Sequence, residues 1–208
     1  YFGRKEDLSD ISFTLAHGER LGIIGATGSG KSTLIKLLLR FYEPTAGEIF
    51  IDGYPLTHYT REELAALFGV SLQNGFLYAD TVEENIRFGR DISDDSMKKA
   101  AENAMASEFI GSYEDGYQHQ AAIHGSSFSG GQRQRLLIAR ALSGSSPIIV
   151  LDDSSSALDY HTDSLVRRNI LTSHKEASLV IVAERVSAVM NCDEILFLHG
   201  GEIIGRGK

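Results

Sequence analysis

The sequence predicts an α/β fold with a mainly parallel central sheet and a helical region inserted into it. Three observations predict this fold. An apolar run, a glycine-rich loop and a helical pattern follow one another over Leu21–Lys36, which reads LGIIGATGSGKSTLIK. Two further runs, Ile148–Leu151 and Leu179–Ala183, have the continuous apolar character of parallel strands covered on both faces. Between about 76 and 143, strand signals are weak and helical patterns dominate.

The remaining elements are assigned by periodicity and by the residues that bound them. Short apolar or alternating runs bounded by Gly, Asp or Asn predict strands. In chain order these are Ile11–Leu15, Leu21–Ile24, Glu48–Asp52, Ile148–Leu151, Leu179–Ala183, Glu194–Leu198 and Glu202–Ile204. The predicted helices are Gly30–Arg40, Arg61–Phe68, Val82–Arg87, Asp94–Ala106, Gly130–Leu142 and Thr162–Leu171. Two helices begin with predicted capping boxes, Thr60-x-x-Glu63 and Thr81-x-x-Glu84.

Size and composition are those of an ordinary soluble domain. The chain has 208 residues, 42% of them hydrophobic and 23% charged, which is enough to bury a core in one large domain or in one domain with a subdomain. A net charge of −8 argues against a general nucleic-acid surface. The single cysteine, Cys192, excludes an internal disulfide and fits a reducing compartment. No apolar run approaches the ~18 residues that span a bilayer, so we expect the chain itself to be soluble and cytosolic.

The loop from Gly25 to Ser32 matches the pattern GxxxxGK[ST] in the strand–loop–helix setting that this pattern requires. Its glycines allow backbone N–H groups to close around phosphate oxygens, and the helix that follows directs its positive end at the same anion. Lys31 is expected to reach the β- and γ-phosphates and Ser32 to ligate Mg²⁺. A glycine-rich turn that binds nothing is the alternative, and the flanking strand and helix disfavour it. The loop therefore predicts binding of a nucleoside triphosphate.

A second glycine-containing helix start lies at Phe128–Gln132, which reads FSGGQ and precedes the helical pattern RQRLLIARAL. Alone it is weak evidence, because glycine pairs also precede helices in simple turns. It is followed by the apolar strand Ile148–Asp152, which ends in a carboxylate, and then by Ser156–Asp159, which reads SALD. In this order the motifs resemble the nucleotide-binding domain of ATP-binding cassette (ABC) transporters over nearly the whole chain. The resemblance implies one nucleotide-binding domain over residues 1–208, with a RecA-like P-loop core, a small antiparallel β subdomain and an inserted helical subdomain at about 76–143.

The resemblance also implies roles for individual residues. The nucleotide is ATP, and the Walker A residues that bind it are Thr27, Gly28, Ser29, Gly30, Lys31, Ser32 and Thr33. Gln73 matches the Q-loop glutamine, which reaches Mg²⁺ and the attacking water, and Asp152 matches the Walker B aspartate, so Mg²⁺ is held by Ser32, Gln73 and Asp152. Tyr1 lies at the spacing of the aromatic residue that stacks on adenine; a frayed terminal residue is the alternative reading.

The second glycine-containing helix start, Phe128–Gln132, matches the signature motif of the family. Domains of this family act as head-to-tail dimers in which the signature motif of one chain completes the ATP site of the other. The residues of this chain that would contact the partner's nucleotide are Ser129, Gly130, Gly131, Gln132 and Asp159. The implied partner is therefore a second ABC nucleotide-binding domain.

The segment Thr81–Ile86, TVEENI, resembles the TVxENI segment of exporters, which lies where the coupling helices of the membrane domain dock. A capped surface helix is the alternative. Exporters usually carry a transmembrane domain N-terminal to this one. We therefore expect the chain to be part of a longer polypeptide, truncated at both ends, that works at the cytoplasmic face of a membrane.

The expected catalytic residues are Gln73, Asp153 and Glu184. The last two of these depart from the family pattern. Asp153 replaces the glutamate that orients the attacking water, and the missing methylene retracts the carboxylate by ~1.5 Å. A misplacement of ~1 Å can reduce a rate on the order of a hundredfold. Glu184 replaces the histidine that contacts the γ-phosphate and would repel the charge of the transition state. A harmless substitution in a loop is the alternative for Glu184.

These two departures, beside an intact nucleotide loop and signature, resemble the degenerate-site subunit of a heterodimeric exporter. Such a subunit binds Mg·ATP, hydrolyses it slowly and supplies its signature to the partner's site. Three alternatives stay open at this point. The chain is an active homodimeric exporter that uses Asp153 as its base, a non-transport ABC protein of DNA repair or translation, or a nucleotide-binding regulatory module.

Overall fold

The structure, a computed structural model, describes residues 7–208 and has a six-stranded sheet at its centre. The strands are β1 Arg20–Ile24, β2 Phe50–Ile51, β3 Tyr54–Pro55, β4 Phe68–Ser71, β5 Ile148–Asp152, β6 Ser178–Ala183, β7 Glu194–His199 and β8 Glu202–Gly207. The helices are α1 Lys31–Leu38, α2 Arg61–Leu67, α3 Val82–Arg87, α4 Asp94–Asn103, α5 Ser107–Ile110, α6 Gly130–Leu142 and α7 Tyr160–Ser173. The predicted α/β fold with a mainly parallel sheet is confirmed.

The order of strands in the sheet is β4-β5-β6-β1-β7-β8, in which only β8 runs antiparallel to its neighbour. The carboxyl ends of the five parallel strands meet at one edge, as they do in open α/β sheets that bind ligands there. In the register, Ile24 lies opposite Ala183, and Asp152 lies opposite Val182. The chain segments that leave β1, β5 and β6 therefore emerge side by side, and these segments carry the predicted site.

Both faces of the sheet are covered, as the continuous apolar runs predict. Alternate residues of β5 and β6, such as Leu151 and Leu179, pack into one core with α3 to α7. The intervening residues, such as Val150 and Val180, pack into a second core with α1 and α2. None of the helices within residues 7–208 is both long and apolar enough to cross a membrane.

The predicted strand Ile11–Leu15 is wrong. Ile11, Phe13 and Leu15 do pack against the core while the residues between them are exposed, but the segment forms no ladder with any strand among residues 7–208. Alternating polarity thus identified the buried side chains and not the backbone pairing. The predicted strand Glu48–Asp52 is reduced to β2, which forms a two-stranded antiparallel hairpin with β3. Its turn is Asp52-Gly53, and both residues have positive φ (51° and 81°), as a two-residue hairpin turn requires.

The strand β4 was not predicted from the sequence; it pairs in parallel with β5 at the edge of the sheet. The helix predicted to reach Phe68 ends at Leu67, and the strand begins at the next residue. Its four residues, FGVS, are too few to show a periodicity. The strand matters because Gln73 lies just beyond its carboxyl end, at the same edge as the segments that follow β1, β5 and β6.

Helix ends were predicted unevenly. The bounds of α3 and α6 agree with the prediction, whereas the helix predicted over Asp94–Ala106 ends at Asn103, and a left-handed Met105 (φ 57°) separates it from α5. The Thr60–Glu63 capping box is present with both bonds. At Thr81 only half of the predicted box forms, because the Thr81 N–H donates to Asp80 instead of Glu84.

Candidate nucleotide-binding site

The loop between β1 and α1 has a backbone that only glycine permits at key points. A Cβ on Gly25 would lie 2.3 Å from the carbonyl oxygen of Leu198 and 2.6 Å from Oγ of Ser29. Gly28 and Gly30 have φ of 81° and 106°, in the left-handed region that other residues rarely adopt. The close approach of the loop to β7 and its tight curl are therefore consequences of these glycines.

Two polar side chains of the loop fit an anionic ligand. Lys31 is buried, and its Nζ donates to the carbonyl oxygens of Gly25 (2.6 Å) and Ala26 (3.0 Å). Oγ of Ser29 is buried and has no hydrogen-bond partner within residues 7–208. A buried hydroxyl without a partner is costly unless a ligand completes it. Ser32 and Thr33, in the first turn of α1, are half-buried beside this cradle.

Asp152 ends β5 at the same edge of the sheet and is 5% exposed. Burial, and then the charge of Asp153, raise the pKa of Asp152 to about 6, while Lys31 and Lys36 act in the opposite direction. A divalent cation would stabilise this carboxylate in its ionised form. Within residues 7–208 no group of three or more His, Cys, Asp or Glu side chains is arranged to hold a metal. Mg²⁺ in nucleotide sites is usually held by one or two protein oxygens together with phosphates, and the predicted ligands Ser32, Gln73 and Asp152 carry oxygens of this kind.

The structure brings Gln73 and Asp153 together. Nε2 of Gln73 donates to Oδ2 of Asp153 at 3.4 Å, although the two residues lie on different segments of the chain. Asp153 has a left-handed backbone (φ 47°), and its N–H donates to the carbonyl oxygen of Val182 at 2.9 Å. Burial, followed by the charge of Glu184, raises the pKa of Asp153. Asp153 thus interacts with both of the other predicted catalytic residues, through a hydrogen bond with Gln73 and through the charge of Glu184.

Glu184, the residue after β6, lies against the loop. Oγ1 of Thr27 donates to Oε1 of Glu184 at 2.6 Å, and both side chains are exposed. The carboxylate is therefore directed at the loop that is predicted to hold the triphosphate. The neighbouring cation, Arg185, lies over the ring of Tyr160 at 5.0 Å. The Thr27–Glu184 contact was not predicted, because no local sequence pattern relates residues that are 157 positions apart.

The signature motif forms the start of α6. Ser129 is its N-cap, and a capping box that was not predicted joins it to Gln132: Oγ of Ser129 accepts from the Gln132 N–H at 3.2 Å, and the Ser129 N–H donates to Oε1 of Gln132 at 2.9 Å. Ser129 and Gly130 are exposed. A Cβ on Gly131 would lie 3.2 Å from the carbonyl oxygen of Ala157, so the SALD segment packs closely on this helix start.

Asp159, another predicted site residue, lies at the start of α7. Asp159 is the N-cap of α7, where it accepts from the backbone of His161 and Thr162, and these bonds lower its pKa. Within one chain, the side chain of Asp159 therefore caps α7, and the side chains of Ser129 and Gln132 cap α6. Tyr1, the predicted adenine-stacking residue, lies outside the described residues.

The comparisons with known proteins agree on one family. A family model described as ABC transporter matches residues 8–156. The chain is 40% identical to ATP-binding cassette sub-family B member 6 of Xenopus tropicalis, covering 100% of this chain and 25% of that protein. It is 38% identical to the beta-(1→2)glucan export ATP-binding/permease protein NdvA of Rhizobium etli, covering 97% of this chain and 35% of that protein.

A solved structure gives the same result. The fold superposes on a bacterial Atm1-family ABC exporter with ATP bound, with a TM-score of 0.93 and 36% identity. That match covers 100% of this chain and 37% of the exporter chain. The chain thus spans about a quarter to a third of the proteins that it matches.

Proposed function

The chain belongs to the ABC transporter family, and from this we propose that it is the ATP-binding domain of an exporter whose own ATP site turns over slowly. Mg·ATP binds at the loop of residues 25–33, with Lys31 at the β- and γ-phosphates. Ser32, Gln73 and Asp152 would hold Mg²⁺, which would supply positive charge to neutralise the phosphates. The relatives whose printed names describe export, and the exporter whose structure matches, support this assignment.

Slow turnover is supported above all by the placement of Glu184. Its carboxylate hydrogen-bonds the loop at Thr27, where a histidine in the family pattern would face the γ-phosphate. A preorganised donor stabilises the charge that develops in the transition state, whereas a carboxylate at the same place opposes it. Asp153, which is in contact with Gln73, adds to the effect, because its side chain is one methylene shorter than that of the glutamate in the family pattern and reaches less far towards an attacking water.

The partners follow from the rest of the surface. A second ABC nucleotide-binding domain completes the sites, and the exposed start of α6 supplies this chain's signature to it. The coupling helices of a transmembrane domain dock beside TVEENI, where the aromatic side chains of Phe76, Tyr78 and Phe88 are 43%, 48% and 46% exposed. In this proposal the domain works at the cytoplasmic face of a membrane, within a heterodimer whose other subunit carries the usual glutamate and histidine.

The test is the ATPase rate of the purified chain. Restoring the pattern with Asp153→Glu and Glu184→His should raise phosphate release at least about tenfold, since each restores a group that acts in the transition state. Glu176→His is the matched control, because Glu176 is exposed and lies just before β6 whereas Glu184 lies just after it. Lys31→Ala in the double variant must abolish the gain. No gain in the double variant would contradict the proposal.

An active homodimer that uses Asp153 as its base is the second candidate. The contact between Gln73 and Asp153 favours it, as does the raised pKa of Asp153, because a base works best when its pKa approaches the working pH. Rapid hydrolysis by the unmodified chain, lost in Asp153→Asn, would favour this candidate over the first.

A further inference from the structure

The contact between Thr27 and Glu184 has a consequence for which nucleotide the loop accepts. We propose that the Thr27–Glu184 hydrogen bond is a latch across the γ-phosphate end of the loop, which makes this site favour a nucleoside diphosphate over a triphosphate. The inference rests on the proposed function, since it concerns the same ATP site.

The position of Thr27 in the loop identifies the phosphate that it faces. Nζ of Lys31 lies against the carbonyl oxygens of Gly25 and Ala26, directly before Thr27. In loops of this pattern the lysine serves the β- and γ-phosphates. The hydroxyl of Thr27 therefore lies at the end of the cradle that receives the last phosphate of a triphosphate, and the shorter diphosphate leaves that end unfilled.

Thr27 cannot serve Glu184 and a phosphate together. A hydroxyl donates one hydrogen bond, and Oε1 of Glu184 already takes it at 2.6 Å. A phosphate oxygen that bonds to Thr27 must displace the carboxylate, or else lie beside it with two negative charges a few ångströms apart. Asp153 adds a further carboxylate at the same edge of the sheet, since its N–H donates to the carbonyl oxygen of Val182, two residues before Glu184. The third phosphate of a triphosphate therefore finds the Thr27 donor already occupied and a negative charge beside it. A diphosphate does not reach either group.

The first experiment measures affinity without turnover. Titration calorimetry with Mg·ADP and with a non-hydrolysable Mg·ATP analogue gives the ratio of the two dissociation constants for the full chain. Glu184→Gln keeps the size and the oxygen acceptor but removes the charge, and it should tighten the triphosphate analogue about tenfold while changing ADP less than about twofold. Glu176→Gln makes the same change at the opposite end of β6 and should leave both affinities as they are.

The second experiment tests the latch with no nucleotide present. Thr27→Val removes the donor at nearly the same shape, and Glu184→Ala removes the acceptor. Each should raise amide hydrogen exchange in the peptide that covers residues 25–31 several-fold, and the double variant should exchange no faster than either single variant, because one bond is lost in all three. Fully additive effects, or unchanged exchange, would overturn the latch.

The outcomes separate this inference from the proposed function. If Glu184→Gln changes the affinities for ADP and the analogue equally, or changes neither, the proposed preference for a diphosphate is wrong while slow turnover can still hold. If the unmodified chain releases phosphate rapidly, slow turnover is wrong, and the affinity ratio still decides which nucleotide the site favours.

Discussion

Asn85 on α3 and Arg140 on α6 form a buried pair, in which Nη2 of Arg140 donates to Oδ1 of Asn85 at 2.9 Å. Arg140 also donates to the carbonyl oxygens of Asn85 (2.8 Å) and Phe76 (3.0 Å). Asn85 in turn holds the turn before α3, accepting from the N–H of Tyr78 and donating to its carbonyl oxygen. Burial lowers the pKa of Arg140 to about 10, so it stays cationic near neutral pH. The asparagine of TVEENI thus ties the signature helix to the segment that follows Gln73.

Asn85→Ala should lower the free energy of unfolding by about 3 kcal/mol, because it removes several bonds and leaves the Arg140 charge with fewer buried partners. Urea unfolding measures this. Asn74→Ala is the matched control, since Asn74 is exposed and Asn85 is only 1% exposed. A loss below about 0.5 kcal/mol in Asn85→Ala would show that the network adds little to stability.

The glycines of the nucleotide loop should respond differently to a methyl group. Gly25→Ala places a Cβ 2.3 Å from the carbonyl oxygen of Leu198, so the strand or the loop must shift, at a cost of about 3 kcal/mol. Gly28→Ala meets no atom within 4 Å and bears only the cost of a left-handed alanine, about 1 kcal/mol. Urea unfolding of both variants, without nucleotide, tests the difference. Equal losses of unfolding free energy in the two variants would mean that the contact with Leu198 does not determine the conformation of the loop.

Local chemistry in the sequence predicted the parts of the fold that depend on it. The bounds of α6 and α3 agree because each follows a Ser or Thr N-cap whose hydroxyl accepts a backbone N–H. The central strands β5 and β6 were predicted because burial on both faces demands continuous apolar residues. The loop at Gly25 to Ser32 was predicted because its function depends on backbone shape, which glycine spacing encodes.

Features that depend on distant partners were beyond local reasoning. The strand β4 is fixed by pairing with β5, and its four residues carry no period of their own. The extended run at Ile11–Leu15 shows the reverse case, an alternating pattern without a ladder among the described residues. The Thr27–Glu184 contact exists only because β1 and β6 are neighbours in the sheet. All three features depend on the order of the strands in the sheet, and a short stretch of sequence does not contain that information.

Cys192 should be nearly inert in the folded chain. It is 9% exposed, and burial raises the pKa of its thiol to about 11. Only the thiolate is nucleophilic, so a disulfide reagent at about pH 8 should react at least about a hundredfold more slowly with the native chain than with the chain in concentrated urea. The rate of the native chain is measured without denaturant, both with and without Mg·ADP, and compared with the rate in urea. Rapid native reaction would show that the segment after β6 opens readily.

Asp152 should make the ligand-free protein less stable as the pH rises. Its pKa is about 6 in the folded chain, above the ordinary value of 3.8, so the native state binds a proton more tightly than the unfolded state does. Stability from this group is therefore complete below about pH 4 and is lost as the pH rises through about 6. Asp152→Asn removes the titration and should raise the free energy of unfolding near pH 7 by about 2 kcal/mol, with no difference near pH 4.

Urea unfolding across this pH range, with chelator and without nucleotide, measures the effect on Asp152→Asn. Asp91→Asn is the control, because Asp91 is exposed and should not reproduce the pH-dependent gain. Added Mg·ADP should then reverse the order near pH 7, since a cation held by the Asp152 carboxylate stabilises the unmodified chain and the asparagine cannot supply that charge. If the difference between Asp152→Asn and the unmodified chain did not change with pH, burial of an ionised Asp152 would not be what destabilises the ligand-free site.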